Sequence, residues 1–541
     1  MDKLTEYKIN SYLIMDEVTR HCLELTKTRN RMKTKGSVYW FLNYTKTPMG
    51  TRLLKKYLSE PLLDEEIISN RLNAVEELIS NTQNLEKCEQ ILDDFCDLSR
   101  MCAKLSNTTI YPKDLYLIVK DSVRLKNINK IIKQFKSKLL KMDEEKLNEV
   151  IEIAEKINLA INENSSNDIK NGSIINDGYD SNLDYLRLEL KKMFCEMSNF
   201  ELKQQKITGI KNLKIKHSKI IGYYIEISNS KQHNIPKEYY KKQTLTNCIR
   251  YSCDELKNIE IKINNLKYRI NELEYALYCE IRKSASKYTQ TIRLLAKDIA
   301  NIDVLISYSR CAINNNFVKP KFNKTKINIK NGFHPSLMKL NNEIIKNDTN
   351  LDFNTMMILT GANMSGKSTF LKYNALISLL SQIGSYVPAT SADVSVLNRI
   401  FLRQGSTDDI INNNSSFMVE MNDLKYILDN ITDSSLVLLD EPAKSTNARE
   451  GGAIARAFCE YLLEKSNAKV ILVTHNYELT KLENDFPTRA LNYVIGDEPK
   501  VEANEINRKI KRGKINGSYA LATAKLAGLP KTVLEKAKKY M

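Results

Sequence analysis

The chain has 541 residues, enough for roughly two to four domains that each bury a core. Lys and Arg outnumber Asp and Glu 82 to 65, a formal net charge of +17 and a pI near 9.1. That balance fits a polyanionic partner, nucleic acid first, or simply a chain in which Lys, Asn and Ile are abundant throughout. The ten cysteines form no C-x-x-C pair and lie scattered in helical patterns, so they read as reduced core thiols, not as a zinc site or disulfide frame. With no N-terminal signal and no apolar run of about 18 residues, the expectation is a soluble intracellular protein with no membrane partner.

Residues 1–35 are short polar and apolar pieces, and 36–160 read as mostly helical. Leu53, Leu54, Tyr57 and Leu58 recur at helix spacing, as do Leu72, Val75, Leu78 and Ile79, with Pro48, Pro61 and Pro112 as punctuation. Trp40, the single tryptophan, sits in an apolar stretch and is expected in a core. A polar loop spans 162–173. Leu183, Leu186, Leu190, Met193, Met197 and Phe200 then alternate three and four apart, and so do Leu256, Ile259, Ile263, Leu266, Ile270, Leu273 and Leu277. Both are heptad seams. Between them Ile220 to Ile227 reads as strand, flanked by Lys211, Lys214, Lys216 and Lys219 on one side and Lys241, Lys242 and Arg250 on the other. Two long helices packed antiparallel, with a β-rich basic tip where the chain turns back, account for this pattern. The tip is the candidate contact to nucleic-acid backbone.

Residues 319–355 lead into the segment MILTGANMSGKSTFL at 357–371. A strand from Met357 to Leu359 runs into Gly361, Ala362, Asn363, Met364, Ser365, Gly366, Lys367, Ser368 and Thr369, which satisfy G-x-x-x-x-G-K-[ST] before a helix-prone stretch. In such a loop the glycines let backbone N–H groups point inward at phosphate oxygens, the lysine reaches the β- and γ-phosphates of ATP, and the serine hydroxyl ligates Mg²⁺. Leu436 to Leu439 is an apolar strand ending in Asp440 and Glu441, where a nucleotide hydrolase keeps its Mg²⁺ acid and its water-activating base. Val470 to Thr474 is another, with His475 at its carboxyl end, where open α/β sheets place ligands. A P-loop, an Asp-Glu pair and a strand-end histidine in that order indicate an ATPase of the ABC type. Phe417 to Met421 opens a further helix, strand signals fade near Ile495, and the tail from Gly517 through Gly528-Leu-Pro530 to Tyr540 has a helix-turn-helix shape, suited to dimer packing or DNA contact.

Taken together these segments resemble the MutS family of DNA mismatch-repair ATPases, from about residue 12 to the C-terminus. TGANMSGKSTFLK resembles the family's T-G-P-N-M-G-G-K-S-T, and Gly384 to Ala389, Arg399 to Arg403, Asp408-Asp409, Phe417 to Met421, Thr474-His475, Glu478 to Thr480 and SYALATAKLAGLP also match. Outside that region LELTKT at 23–28, TKTPMGTRLL at 45–54, NDGYDSNLD at 176–184, TGIKNLKI at 208–215, GYYIEIS at 222–228 and KKQTLTNCIRY at 241–251 match too. The resemblance implies a helical core and lever at 1–195 and 251–318, a DNA-contacting clamp at 196–250, and a P-loop ATPase and dimerisation domain at 319–541. It implies ATP and Mg²⁺ as cofactors, Asp440 and Ser368 on the metal, Glu441 polarising water, His475 sensing the γ-phosphate, and Ser415 reaching the nucleotide of the partner subunit. The expected protein is a homo- or heterodimeric clamp on double-stranded DNA, including branched or mismatched forms, switched by ATP in repair or recombination.

Three departures qualify the resemblance. The family's N-terminal mismatch-reading domain does not precede the core here, so weak intrinsic mismatch selectivity is expected. Asp440-Glu-Pro-Ala-Lys-Ser-Thr-Asn447 stands where the family usually has D-E-[IVL]-G-R-G-T, and Ile344 stands where it has an adenine-stacking aromatic. The alternative from another class is an ATP-driven remodelling factor acting on a protein, similar to the MutS-like reactivating factors of cobalamin-dependent aminomutases.

Overall fold

The structure, a computed structural model, describes residues 11–29, 32–165, 172–229, 235–338, 344–352, 355–362, 365–405, 416–496, 508–514 and 528–540. The chain divides into two compact units, one made of Met1–Phe95, Ile128–Lys141 and Lys297–Met541, the other of Cys96–Asn127 and Met142–Ala296.

Helices come first: α1 (Glu17–Cys22), α2 (Val38–Leu42), α3 (Pro48–Ser59), α4 (Glu65–Ser80), α5 (Thr82–Asp93), α6 (Leu98–Ser106), α7 (Pro112–Ile132) and α8 (Glu144–Ala160). Local chemistry starts them. Asp16, Ser37, Thr47, Asp64, Asn81, Asp97 and Asp143 each accept a backbone N–H from the first turn of the helix they precede, which satisfies donors that have no intrahelical partner. In α2, Val38, Tyr39, Phe41 and Leu42 are buried while Trp40 is only half-buried. Trp40 is thus less of a core residue than its apolar neighbours suggest, because the buried face of this short helix passes on either side of it.

In the second unit, α9 (Ser181–Thr208) and α10 (Asp254–Ser286) run antiparallel, with Lys203 against Glu255 at one end and Arg187 against Glu274 at the other. The seam follows the heptads through Leu183, Leu186, Met197 and Phe200 on α9 and through Leu256, Ile259, Ile263 and Ile270 on α10. Beyond Ile270 it departs from the expected register. Glu274, Tyr278, Ile281 and Ala285 are buried, and Leu273 and Leu277 are only half-buried. A straight helix drifts ~20° per heptad, and the Glu274 carboxylate is fixed by Arg187 and by the Ile174 N–H at 3.1 Å.

Between the two helices lie β1 (Lys214–Ser218), β2 (Gly222–Ser228), β3 (Tyr240–Thr244) and β4 (Cys248–Ser252), an antiparallel sheet in the order β1-β2-β4-β3. Ile225, Ile227, Ile249 and Tyr251 pack under it on Met197, Phe200, Leu256, Ile259 and Ile263. The expected strand at 220–227 begins two residues later, because Gly222 takes a left-handed backbone with φ 71° and ends the turn.

After α11 (Thr289–Asn315) the first unit continues with β5 (Lys321–Asn323), β6 (Ile327–Gly332), α12 (Pro335–Met338), β7 (Asn347–Leu351), β8 (Met356–Gly361), α13 (Lys367–Gln382), β9 (Ser391–Ser395), β10 (Arg399–Gln404), α14 (Ser416–Asn430), β11 (Ser435–Asp440), α15 (Ala448–Lys465), β12 (Lys469–Val473), α16 (Tyr477–Thr480), α17 (Leu482–Asp485), β13 (Ala490–Ile495) and β14 (Ile510–Arg512). One sheet has the order β5-β9-β6-β7; the larger runs β10-β11-β12-β8-β13-β14, parallel except for β14. Strands β8 and β12 are buried along their whole length, as parallel strands covered on both faces must be. Val437, Leu439, Val470 and Leu472 pack there on Leu424, Ile427, Phe458 and Leu462 of α14 and α15.

Strand β14 was not legible in the sequence, since its Ile-Lys-Arg carries no apolar alternation. In the tail a helix spans Lys531–Lys539, and the first helix of the expected helix-turn-helix lies outside the described residues. All ten cysteines are free; Cys22, Cys88, Cys102, Cys253, Cys311 and Cys459 are buried, whereas Cys195 is exposed. No helix among the described residues is long and apolar enough to cross a membrane.

Candidate functional site

Three parallel strands, β10, β11 and β12, end level with one another, and β8 runs beside them two residues further, to Gly361. Gln404 pairs with Asp440, Asp440 with Val473, and Val473 with Leu359. The register therefore lines up the carboxyl ends of β10, β11 and β12 beside β8, and the Glu441 and Thr474 N–H groups continue the ladder to Val473 O and Leu359 O at 2.9 and 3.1 Å. Gly361 closes β8 where a Cβ would stand 2.4 Å from Ile495 Cγ2 and 2.7 Å from Ile495 O, so β13 leaves no room for a side chain. Gly366 precedes α13 with φ 101°. Asn363 and Met364 lie outside the described residues.

Lys367 opens α13 and is buried. Its Nζ donates to Gly361 O and Ala362 O, both at 2.8 Å, and lies 3.1 Å from His475 Nε2. Burial lowers the Lys367 pKa against the opposing pull of Glu441 and Asp440. Burial, then Lys367, lowers that of His475 as well, so its imidazole is neutral at pH 7. Ser368 Oγ donates to Asp440 Oδ2 at 2.6 Å. Glu441 sits in left-handed backbone, φ 55°, with Oε1 3.4 Å from His475 Nε2. Six residues from three segments of sequence thus meet at one edge of the sheet: Gly361, Lys367, Ser368, Asp440, Glu441 and His475. Ser365 and Thr369 line an adjoining pocket; Ser415 lies outside the described residues.

Two neighbours were missed by sequence reasoning. Lys444 Nζ lies 3.8 Å from Glu441 Oε2, and Glu420 of α14 accepts the N–H groups of Lys444 and Ser445 at 3.3 Å each. Glu420 was visible only as part of Phe417-Met-Val-Glu-Met; its partner loop is remote in sequence. That loop also holds Ala443 at φ 60°, where the family pattern has glycine, a strain of about 1 kcal/mol. Arg403 pairs with Asp16 and, at 3.2 Å, with Asp423, fixing α14 against β10 and the segment before α1.

Phe333, Leu337, Ile344, Ile345 and Ile495 form the apolar wall of the adjoining pocket, whose other side is Ser365, Gly366 and Thr369. Ile344 lines this pocket with an aliphatic side chain, and Phe333 supplies an aromatic ring to the same wall. The Ser365 hydroxyl is buried without a hydrogen-bond partner among the described residues. So is His334 Nδ1, and burial lowers the His334 pKa from 6.5 to about 4. An unfolded chain takes up this proton below pH 6.5 and the folded one does not until about pH 4, so folding stability is lost as pH falls through that window. Urea denaturation at stepped pH should show His334→Gln to be less acid-sensitive than the parent by an amount on the order of 3 kcal/mol; equal slopes would mean that His334 is not the buried base.

On the β1–β4 sheet, Lys211, Lys214, Lys216, Lys219 and Lys241 are exposed, and Lys242 and Arg250 are half-buried. Glu226 pairs with Lys216 at 2.7 Å and with Arg250 at 3.5 Å, and Arg250 stacks over the Tyr224 ring. Lys242 turns inward, donating to Ile221 O and Tyr223 O at 2.8 and 3.2 Å. The basic residues therefore divide into an outward group and a bracing group.

The architecture is that of a multidomain chain joining a helical, sheet-tipped unit to a parallel α/β sheet with a glycine-rich loop at its carboxyl edge. Residues 18–309 match the family model for MutS domain III, and residues 357–541 match that for MutS domain V. The proteins called DNA mismatch repair protein MutS from Caldanaerobacter subterraneus subsp. tengcongensis and from Caldicellulosiruptor bescii are each 39% identical, over 100% and 99% of this chain and 62% and 63% of their own lengths. The protein of that name from Clostridioides difficile is 39% identical over 99% of this chain and 57% of its own. The chain belongs to the MutS family, and spans about 60% of the length of these relatives.

Proposed function

We propose that this chain is an ATP-dependent DNA-binding protein of the mismatch-repair type, a dimeric clamp that ATP binding and hydrolysis switch. The observation that carries the reading is the strand register that gathers Lys367, Ser368, Asp440, Glu441 and His475. Lys367 and the loop N–H groups hold the phosphates, and the orphaned Ser365 hydroxyl beside Phe333 and Ile344 suits a nucleotide with a polar and an apolar end. Ser368 and Asp440 offer the oxygen pair that Mg²⁺ takes when its other ligands are phosphate and water; the ion would neutralise charge developing on the transferred phosphoryl group. Glu441 orients the attacking water, His475 reads the terminal phosphate, and Ser415 completes the site of a partner subunit. Core and lever occupy 1–195 and 251–318, the DNA-contacting clamp 196–250, and the ATPase and dimerisation domain 319–541. The protein acts inside the cell.

Mismatch selectivity of this chain is weak, because the outward face of the clamp offers lysines, which hold phosphates and carry no base information. A titration of ATP hydrolysis against duplex, mismatched, branched and junction DNA at fixed salt tests both statements. Hydrolysis rises with DNA, matched and singly mismatched duplex bind within about fivefold, ~1 kcal/mol, and branched forms bind more tightly. No response to any DNA would favour a protein partner, and a tenfold preference for the mismatch would reveal a base reader in this chain.

A further inference from the structure

Ile220 is 93% exposed, and no large apolar side chain among the described residues is more exposed. Single exposed apolar residues are common; this one is set apart by the support behind it and the charges beside it. It lies in the turn between β1 and β2, and that turn is braced from behind. Lys242 Nζ donates to Ile221 O at 2.8 Å and Tyr223 O at 3.2 Å, and the Tyr223 N–H donates to Glu260 Oε1 of α10 at 3.1 Å. Glu260 approaches so closely that a Cβ on Gly222 would fall 1.8 Å from Oε1. The residue after the tip, Ile221, is half-buried, so the chain has an inward place for one isoleucine and holds the next one out in water. The hairpin carries Lys219 beside the tip and Lys216 and Lys214 along β1, all exposed.

A rigid apolar point among cations matches a partner with anionic rails and apolar stacked faces between them. A protein surface would ask for an apolar patch where the hairpin offers one side chain, and a lipid surface would ask for several. Duplex DNA presents this combination. Apolar side chains that enter the minor groove partly unstack a base step and kink the duplex. We propose that Ile220 is such a wedge, inserted from the minor groove at a base step of the duplex that the clamp lysines hold. The inference rests on the DNA-binding reading above. Aliphatic and without donors or acceptors, the wedge reads no base edge; it rewards steps that open easily, pyrimidine–purine steps and mismatches alike, by no more than the roughly fivefold, ~1 kcal/mol, stated above.

The test uses the full chain and a short duplex with 2-aminopurine at a TA step, titrated at several salt concentrations. Binding of the parent protein raises the emission as the step unstacks. Ile220→Ser should lose that rise and bind about tenfold more weakly, ~1.4 kcal/mol, with an unchanged salt slope because no phosphate contact is lost. Ile220→Phe should keep the rise. Lys219→Gln should reduce the slope by about 0.9. Ile220→Ser with the parent's emission change and affinity would overturn the wedge while leaving the DNA reading intact. A parent protein with no salt-dependent duplex binding would instead remove the DNA reading, and the wedge with it.

Discussion

Lys367→Ala abolishes productive nucleotide binding, and Glu441→Gln leaves binding intact while stopping turnover. The 361–369 loop has no other positive charge, and the Lys367 ammonium already rests on the carbonyls of Gly361 and Ala362 at the mouth of the loop. Each charge-assisted hydrogen bond to phosphate is worth about 1.5–3 kcal/mol, and a lysine that reaches both the β- and γ-phosphates loses at least two, on the order of 10²–10⁴ in affinity. Glu441 sits off the loop, 3.4 Å from His475 and 3.8 Å from Lys444. Its amide replacement keeps the shape and removes the proposed base, a role worth on the order of 10²–10⁴ in rate. Fluorescent-nucleotide titration and phosphate release on the same preparations separate the two effects. Hydrolysis within threefold of the parent in both variants would reject these residues as the nucleotide site.

Neutralising Lys211, Lys214, Lys216 and Lys219 together flattens the salt dependence of DNA binding. Each phosphate neutralised contributes about −0.9 to the slope of log K against log salt, so four full contacts would remove ~3.6. Lys216 already has Glu226 at 2.7 Å, and a cation that must leave a carboxylate contributes less, which brings the expected loss nearer ~3. ATP hydrolysis without DNA stays at the parent level. Lys242→Gln should behave differently, because that lysine braces the turn at Ile221 and Tyr223. It should weaken the 2-aminopurine response more than the slope. An unchanged slope in the fourfold variant would place the DNA contact elsewhere.

The elements best read from sequence are those whose physics is local. Helix starts were set by capping side chains a few residues from the N–H they satisfy, and the buried strands β8, β11 and β12 by short apolar runs. The loop at 361–369 was readable because its spacing is a property of contiguous backbone. Other features depend on residues far apart. Nothing in the run Lys241-Lys242 distinguishes an exposed lysine from one aimed at Ile221 O, and nothing in Ser-Phe-Met-Val-Glu420 announces that its carboxylate will hold the backbone of Lys444 and Ser445. The heptad seam failed past Ile270 for a similar reason, since Arg187, Ile174 and Glu274 meet only when the two long helices pack.

By itself the sequence determined the alternation of helix and strand, the family pattern, and the residue types available for phosphate, metal ion and water. Tertiary structure decided which of them meet. Parallel pairing of β10, β11, β12 and β8 brings Asp440 to Ser368 and His475 to Lys367 across 72 and 108 residues of chain. Strand register is fixed by burying apolar side chains on both faces of the sheet, a long-range free energy that no local window of sequence contains. The same holds at the clamp, where Glu260 of α10 and Lys242 of β3 close behind the turn and leave Ile220 outside.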